Sequence, residues 1–264
     1  MKILPRLRVK NHLAALVLIT GLAAAAKLSA QASAVQGKAP THEMLPGKGP
    51  AQRGDWFDQV WSERRAAFQA TLAADRGAVV FLGDSITQGW GEVGRHFPQY
   101  HCANRGISGD TTRGILYRLQ EDVLDLKPAA VVLLIGTNDI EIGADPAEVA
   151  ENLKVILARL RAAAAKLPVV VCKVMPSSET KRRPPAKIQK LNALVDEIVK
   201  SDPLFIRCDT FSIYADENGN AKPEEFPDLL HLNASGYAKW VAALNPILSP
   251  LSLPASRAPG APLK

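Results

Sequence analysis

Two kinds of hydrophobic pattern alternate along the central part of the chain. Short, continuous apolar runs predict strands that are buried on both faces, at residues 78–82, 100–104, 130–135, 168–174 and 204–210. The run at 100–104 is the weakest of them. Between these runs, apolar residues recur every three or four positions and predict amphipathic helices, at residues 55–75, 111–126, 145–166, 185–200 and 233–248.

The residues at the helix ends support these predictions. In front of the helix at 145–166, Asp145 can cap the first turn, Pro146 suits the first helical position and Glu148 completes a capping box. Asp110 and Asn233 are placed to cap the helices that follow them.

The apolar stripes predict which side of each helix is buried. The stripe of the helix at 145–166 consists of Val149, Leu153, Ile156, Leu157 and Leu160. The stripe of the helix at 111–126 consists of Ile115, Leu116, Leu119 and Val123. The predicted buried side of the helix at 55–75 includes Trp56, Val60, Ala67 and Leu72.

Apolar strands that alternate with amphipathic helices predict an α/β fold with a parallel sheet between two helix layers, a three-layer α/β/α arrangement. Five strands suggest the flavodoxin-like order 2-1-3-4-5, although the sequence by itself leaves the order open. In such sheets the ligand crevice lies at the carboxyl ends of the strands.

The N-terminal segment has a different pattern, which predicts a signal peptide over residues 1–34. Basic residues without an acid precede a 14-residue, largely apolar run at 13–26, and small residues suited to cleavage follow at Ala30, Ala32 and Ala34. We therefore expect export to the periplasm or secretion. An uncleaved N-terminal membrane anchor is the alternative, although the run is short for a span of about 20 residues.

Composition and charge complete the domain plan. Residues 35–54 and 249–264 are rich in Pro and Gly, and we expect a flexible linker or extended arm and a disordered tail, respectively, around one domain at 55–248. The formal charge of the whole chain is +6, and removal of the five basic residues of the signal segment leaves +1. The basic isoelectric point is therefore no evidence for nucleic-acid binding.

Residues capable of chemistry follow the predicted strands. Ser85 comes directly after the first strand in "VVFLGDSITQGW", Gly109 follows the second in "NRGISGDTT", and Asn138 follows the third in "IGTND". Asp228 and His231 lie in "DLLHLNASGY", after the fifth strand. Because parallel strands end at the same edge of a sheet, we expect these side chains to converge.

The convergent set has the composition of a site for acyl transfer. Ser85 is a nucleophile once a base takes its proton, His231 is the natural base, and Asp228 can orient the imidazole. The backbone N–H groups of Ser85 and Gly109 and the side-chain amide of Asn138 can form an oxyanion hole. Each residue taken alone has a simpler explanation, as a turn residue, a cap or a glycine with positive φ.

The four blocks "GDSIT", "GISGDTT", "GTND" and "DLLH" together resemble the motifs of the GDSL/SGNH hydrolase family. The family is named after a catalytic Ser, an oxyanion-hole Gly and Asn, and a catalytic His. The resemblance extends from about residue 78 to 245. It is strongest to the branch that contains platelet-activating-factor acetylhydrolase catalytic subunits and bacterial acetylesterases. Ile86 stands where the family name has Leu, at a position that contributes packing.

The resemblance implies a serine esterase that works through an acyl-enzyme without a metal or a cofactor. We expect short acyl groups, with acetyl on carbohydrate as the first candidate, and therefore a small-molecule or glycan ester as the partner. We expect neither nucleic acid nor stable membrane insertion after signal cleavage. The first alternative is a lysophospholipase or thioesterase acting on longer chains. The second is a non-catalytic glycan- or nucleotide-binding module, which leaves Asp228 and His231 without a role.

Three further features allow two interpretations each. Trp90 can stack on a sugar ring or pack inside the domain, and the basic loop at 177–187 can attract an acidic substrate or be merely solvated. Cys172 and Cys208 lie in apolar runs, which favours buried free thiols over a disulfide bridge between neighbouring strands.

Overall fold

A five-stranded parallel sheet runs through the centre of the protein in the order β2-β1-β3-β4-β5, which confirms the flavodoxin-like prediction. The computed structural model describes residues 40–52 and 54–255, so the predicted signal peptide lies outside the described residues. The strands are β1 Val79–Gly83, β2 Cys102–Gly106, β3 Ala130–Leu134, β4 Val169–Cys172 and β5 Phe205–Cys208.

Helices cover both faces of this sheet. Their bounds are α1 Asp55–Thr71, α2 Ser85–Gly89, α3 Thr112–Asp122, α4 Thr137–Glu141, α5 Pro146–Ala163, α6 Pro185–Val199 and α7 Ala234–Leu248. Single turns of 3-10 helix occur at His42–Met44, Val93–Arg95, Leu124–Leu126 and Glu179–Lys181. No helix in the described ranges is long and apolar enough to span a bilayer.

Two apolar cores, one on each face, follow the period-two alternation of the strands. Val80 and Leu82 of β1 pack in the core shared with α3, α5 and α6. Val79 and Phe81 of the same strand pack in the opposite core, which includes the buried residues of α7. Since side chains alternate across a strand, a sheet covered on both faces requires continuous apolar runs, as the sequence shows.

The strand register aligns the ends of the central strands. Gly83 at the end of β1 pairs with Gly106 of β2 and with Leu134 of β3. The segments that follow these three strands therefore start at the same edge of the sheet, which is the edge expected to carry the site.

Two of the predicted helix caps are present. Asp145 and Glu148 form the capping box of α5, and the five predicted stripe residues of that helix are all buried. The side chain of Asn233 accepts a hydrogen bond from Gly236 N at 3.0 Å and caps α7. Asp110 was expected to cap α3, but Thr111 is the cap instead. Asp110 lies one residue before the cap position, and its carboxylate pairs with Arg118 instead.

The buried face of α1 differs from the prediction. Phe57, Trp61, Arg65 and Phe68 are buried, whereas Trp56 is 58% exposed. The buried face is shifted by one residue from the prediction, because it carries the larger aromatic side chains of Phe57, Trp61 and Phe68. Arg65 lies on the same face and pairs with Glu121 and Asp122 of α3. A stripe chosen by hydrophobicity alone cannot include an arginine as a buried position.

The short helices α2 and α4 were absent from the sequence-based prediction. Each has five residues, too few to show a 3.6-residue period. Both follow a central strand directly, so they start at the carboxyl edge of the sheet.

Part of the predicted linker is packed against the domain. Asn152 of α5 exchanges two hydrogen bonds with the backbone of Lys48, at 2.8 and 2.9 Å. Arg113 of α3 donates to the carbonyl oxygens of Leu45, Pro46 and Gly49. These contacts are those of an extended arm, one of the two forms considered for this segment.

The start of the predicted tail also contacts the domain. Leu251 and Leu253 pack on the core beside α7, and Ala255 forms a β-bridge with Tyr100. Residues 249–255 therefore run along the domain, although their composition resembles that of a disordered segment.

Arg118 of α3 joins the end of β1, strand β2 and the loop that contains Asp110. Its fully buried guanidinium donates to the carbonyl oxygens of Gly83 at 3.2 Å and Arg105 at 2.9 Å, near the ends of β1 and β2. It also pairs with Asp110 at 2.8 Å and lies 3.5 Å from Asp122. A buried charge is tolerated only when it is paired and hydrogen-bonded, as this one is.

Replacing Arg118 should therefore destabilise the fold strongly. Arg118→Met leaves a buried carboxylate without its cation, and we expect a loss of about 3–5 kcal/mol in the free energy of unfolding, measured by urea denaturation. Lys154→Met, which removes an exposed pair with Glu151, is the control and should change stability by less than about 0.5 kcal/mol. A loss below about 1 kcal/mol for Arg118→Met would contradict this interpretation.

Candidate active site

Ser85 is the first residue of α2, immediately after the turn that ends β1. Asp84 caps this helix, its Oδ1 accepting a hydrogen bond from Ile86 N at 3.0 Å. A Cβ atom on Gly83 would lie 2.3 Å from Thr87 Oγ1 and 2.4 Å from the carbonyl oxygen of Leu134. The turn therefore requires glycine at residue 83, and it presents Ser85 half-buried at the surface.

Three of the predicted residues form one hydrogen-bonded chain. His231 Nε2 lies 3.0 Å from Ser85 Oγ, and His231 Nδ1 lies 2.8 Å from Asp228 Oδ2. Asp228 and His231 are on the loop that precedes α7, both exposed to solvent. The structure thus brings together residues 146 positions apart in the chain, with the geometry expected of a nucleophile, a base and an orienting carboxylate.

The Asp228 carboxylate is held in its ionised form. Although its partial burial raises the pKa, hydrogen bonds from the backbone N–H and the ring of His231 and from Leu230 N outweigh this effect and lower the pKa to about 2. Its Oδ1 accepts both backbone bonds, from His231 N at 2.7 Å and Leu230 N at 3.0 Å. One carboxylate oxygen therefore fixes the loop, while the other orients the imidazole.

The loop that contains Gly109 is hydrogen-bonded to Asn138 through the residue after Gly109. The amide Nδ2 of Asn138, in α4, donates to the backbone carbonyl oxygen of Asp110 at 2.9 Å. Gly109 has a φ of 81°, in the region that favours glycine. Its loop is joined to α2, because Ser108 N donates to Gln88 Oε1 at 2.7 Å. The loop with Gly109 is thus attached to both the Ser85 helix and Asn138.

Within the described residues, the side-chain amide of Asn138 uses one of its two hydrogens. An asparagine amide has two N–H donors, and one of them is used by Asp110. Its Oδ1 accepts a hydrogen bond from Arg183 Nη2 at 2.9 Å. Asn138 is buried, so its orientation is set by these two partners.

Three carboxyl groups are fully buried beneath the site. Burial raises the pKa of Asp84 to about 7, and it raises the pKa values of Asp110 and Asp139 to about 6. Arg118 opposes the effect at Asp110, and hydrogen bonds from Thr112 oppose it at Asp139. No group in the described part of the chain donates a hydrogen bond to Asp84 Oδ2.

Trp90 is not placed to meet a substrate. It is 5% exposed and stacks on Trp240 with ring centroids 4.4 Å apart, so the packing interpretation is correct and the sugar-stacking one is wrong. Cys172 and Cys208 pair in register on β4 and β5 as buried free thiols, as favoured from the sequence.

The basic loop divides into three different environments. Lys181 Nζ lies 4.0 Å from Asp228 Oδ2, at the edge of the site. Arg182 is exposed and pairs with Glu141. Arg183 is buried and donates to Asn138. It therefore fits neither interpretation of the basic loop, as a group that attracts an acidic substrate or as a solvated side chain. The sequence carries no local signal for this inward arginine, because it stands in a run of three basic residues.

Trp56 is the second feature that sequence reasoning missed. A Cβ atom on Gly109 would lie 3.0–3.3 Å from atoms of the Trp56 ring, so the exposed indole packs directly against the predicted oxyanion-hole glycine. An exposed aromatic ring beside a candidate site offers a surface for a ligand. No set of three or more His, Cys, Asp or Glu side chains in the described ranges is placed to hold a metal ion.

A parallel sheet with hydrogen-bonded Ser, His and Asp side chains at its carboxyl edge, near the buried amide of Asn138, has the architecture of an ester-hydrolysing enzyme. The model of the GDSL-like lipase/acylhydrolase family matches residues 81–239, more than half of the chain. The chain belongs to this family, and it is an ester-hydrolysing enzyme.

Individual relatives agree with this assignment. Platelet-activating factor acetylhydrolase IB subunit alpha1 from Pongo abelii is 30% identical over 215 residues, which cover 78% of this chain and 90% of that protein. Subunit alpha2 from Homo sapiens is 29% identical, with 74% and 86% covered. The crystal structure of a GDSL-like lipase from Bacteroides thetaiotaomicron has a TM-score of 0.61 at 26% identity, covering 69% of this chain and 97% of that one.

The buried Asp84 carboxyl should make stability depend on pH. Because its pKa of about 7 in the folded state exceeds the ordinary 3.8, the folded state binds more protons across this interval. Its contribution to stability is therefore present below about pH 4 and is lost as the pH rises to about 7. Asp84→Asn keeps an oxygen to cap α2 and should reduce this loss by on the order of 2–4 kcal/mol.

Urea denaturation at a series of pH values checks the prediction. Asp110 and Asp139 titrate in the same direction, so some pH dependence should remain. Asp125→Asn removes an exposed carboxylate and serves as the control. An Asp84→Asn profile parallel to that of the wild type would refute the assignment.

Proposed function

We propose that the protein hydrolyses esters of short acyl groups, foremost acetyl groups on carbohydrate, with Ser85 as the nucleophile. The observation that carries the proposal is the hydrogen-bonded chain from Ser85 through His231 to Asp228. A serine hydroxyl becomes a useful nucleophile when an oriented base accepts its proton. Here His231 would be that base, and Asp228 would orient it.

The proposed reaction has two steps. Ser85 Oγ attacks the ester carbonyl carbon while its proton passes to His231 Nε2. Collapse of the tetrahedral intermediate breaks the bond to the alcohol, which leaves with the proton from His231. A water molecule then attacks the acyl-serine, giving its proton to His231, and the carboxylic acid is released as Ser85 regains its hydrogen.

The oxyanion of each intermediate needs donors that are already in place. In this proposal they are the backbone N–H groups of Ser85 and Gly109 and the free amide hydrogen of Asn138. Asp228 keeps its charge above about pH 2, so it stabilises the imidazolium throughout the usual pH range.

Two observations support the choice of substrate. The curated relatives are acetylhydrolases by name, which favours a small acyl group. The catalytic candidates Asp228 and His231 are exposed, and the 58% exposed ring of Trp56 packs against Gly109. An open site with an aromatic surface suits the flat face of a sugar ring better than a long acyl chain, which requires a deep apolar channel.

We also propose that the enzyme acts outside the cytoplasm. The proposal rests on the basic, apolar and small-residue segments of residues 1–34.

Loss of the nucleophile should abolish turnover. Ser85→Ala is expected to lower kcat/KM for p-nitrophenyl acetate by at least about 1,000-fold, and to abolish labelling by a fluorophosphonate probe. Ser201→Ala, two residues after the end of α6, should retain both activity and labelling.

Two results would reject the mechanism: an inert wild-type enzyme, or full activity in Ser85→Ala. A series of p-nitrophenyl esters of increasing chain length tests the acyl preference. A preference for long chains would replace the acetylesterase proposal by the lysophospholipase or thioesterase alternative.

The role of Trp56 is tested through the alcohol part of the substrate. Trp56→Ala should raise KM for an acetylated xylo-oligosaccharide by about 3- to 10-fold, the loss of one aromatic contact, and leave KM for p-nitrophenyl acetate within about twofold. Tyr117→Ala removes another exposed aromatic residue and should change neither value. An equal rise in KM for both substrates in Trp56→Ala would mean that the ring only supports the Gly109 loop.

A further inference from the structure

Arg183 is a buried cation that no step of the proposed reaction uses directly. Its side chain is 4% exposed, and its guanidinium donates to four acceptors. Nε donates to Thr137 Oγ1 at 3.1 Å and Nη1 to the carbonyl oxygen of Lys181 at 2.8 Å. Nη2 donates to Glu141 Oε2 at 2.7 Å and to Asn138 Oδ1 at 2.9 Å.

The contact with Arg183 fixes the orientation of the Asn138 amide. A guanidinium has only N–H donors, so it can lie beside the oxygen of an amide and not beside its nitrogen. With Oδ1 held by Arg183, Nδ2 must point the other way, where one hydrogen binds the carbonyl oxygen of Asp110. The second hydrogen then remains for another acceptor.

The same contact affects the strength of this donor. A cation beside an amide oxygen draws electron density from the nitrogen, and hydrogen bonds in a chain polarise one another, most of all in a buried environment. Ordinary rotation about the last side-chain bond would exchange the donor and acceptor ends of Asn138. The buried arginine opposes that exchange, because it would place N–H against N–H.

We propose that Arg183 is a positioning residue for the oxyanion hole. It acts through Asn138, whose amide it holds in the donating orientation and polarises, and it does not touch the substrate. This inference rests on the proposed function, since an oxyanion forms only in that reaction.

The neighbouring residue provides a matched control. Arg182 also pairs with Glu141, at 2.8 Å, but its side chain is 73% exposed. Arg182→Gln and Arg183→Gln each remove one positive charge and one contact with Glu141. Of the two arginines, Arg183 is the one that donates to Asn138.

Steady-state kinetics with p-nitrophenyl acetate tests the proposal. Arg183→Gln should lower kcat by about 10- to 100-fold, less than complete loss of an oxyanion donor, with KM within about twofold. Arg183→Lys keeps the positive charge but loses the planar guanidinium with its fixed N–H donors, and it should show a smaller loss of kcat. Arg182→Gln should stay within twofold of the wild type in both constants. An unchanged kcat in Arg183→Gln would overturn the proposal.

A double-mutant cycle separates action through Asn138 from general damage. In an Asn138→Ala background, Arg183→Gln should lower kcat by less than about threefold, because the group that it positions is already gone. An equally large loss in both backgrounds would show a merely structural role and overturn the proposal.

A spectroscopic readout makes the test independent of turnover. The side-chain amide signal that is missing from the ¹H–¹⁵N spectrum of Asn138→Ala should shift in Arg183→Gln and stay in place in Arg182→Gln. If it stays in place in both, Arg183 does not set the state of this amide and the proposal is wrong. An inert wild-type enzyme with a shifted signal would count against the proposed function, and the positioning of the amide by Arg183 would stand.

Discussion

The buried guanidinium of Arg118 holds together the edge of the sheet on which the site is built. It donates to the carbonyl oxygens of Gly83 and Arg105, near the ends of β1 and β2, and it pairs with Asp110. Without this cation, two carbonyl groups and a carboxylate would lie in the interior without these partners, which is costly. Arg118 therefore fixes the loop of Gly109 relative to the strand that leads into the candidate nucleophile.

The network continues from Arg118 to the other end of the candidate oxyanion hole. The backbone carbonyl oxygen of Asp110 accepts a hydrogen bond from Asn138, whose Oδ1 accepts one from Arg183. The amide of Asn138 thus lies between Asp110, which pairs with the buried Arg118, and the buried Arg183. By contrast, Asp228 and His231 are exposed. The candidate oxyanion-hole amide of Asn138 is therefore set in the interior, while the candidate base and its orienting carboxylate lie at the surface.

Trp56 and Trp90 each lie in the opposite environment to one that the sequence suggested. Trp90, considered for substrate stacking, lies in an aromatic cluster of the core with Trp240. Trp56, expected to be buried, lies exposed against Gly109. The buried face of α1 carries the large aromatic residues Phe57, Trp61 and Phe68, and Trp56 lies outside it; Arg65, on the buried face, pairs with Asp122. Burial of a charged side chain depends on a partner distant in sequence, so a hydrophobic stripe alone cannot reveal it.

The sequence by itself determined the α/β class, the capped helix α5 and the five residues of the candidate site, because periodicity, capping and short motifs are local properties. Only the tertiary structure decided the strand order, the buried face of α1, and which member of a basic run turns inward as Arg183. It also decided that Ser85 and His231 lie 3.0 Å apart. These features depend on contacts between residues far apart in the chain, whose energies arise only when the whole fold brings the partners together.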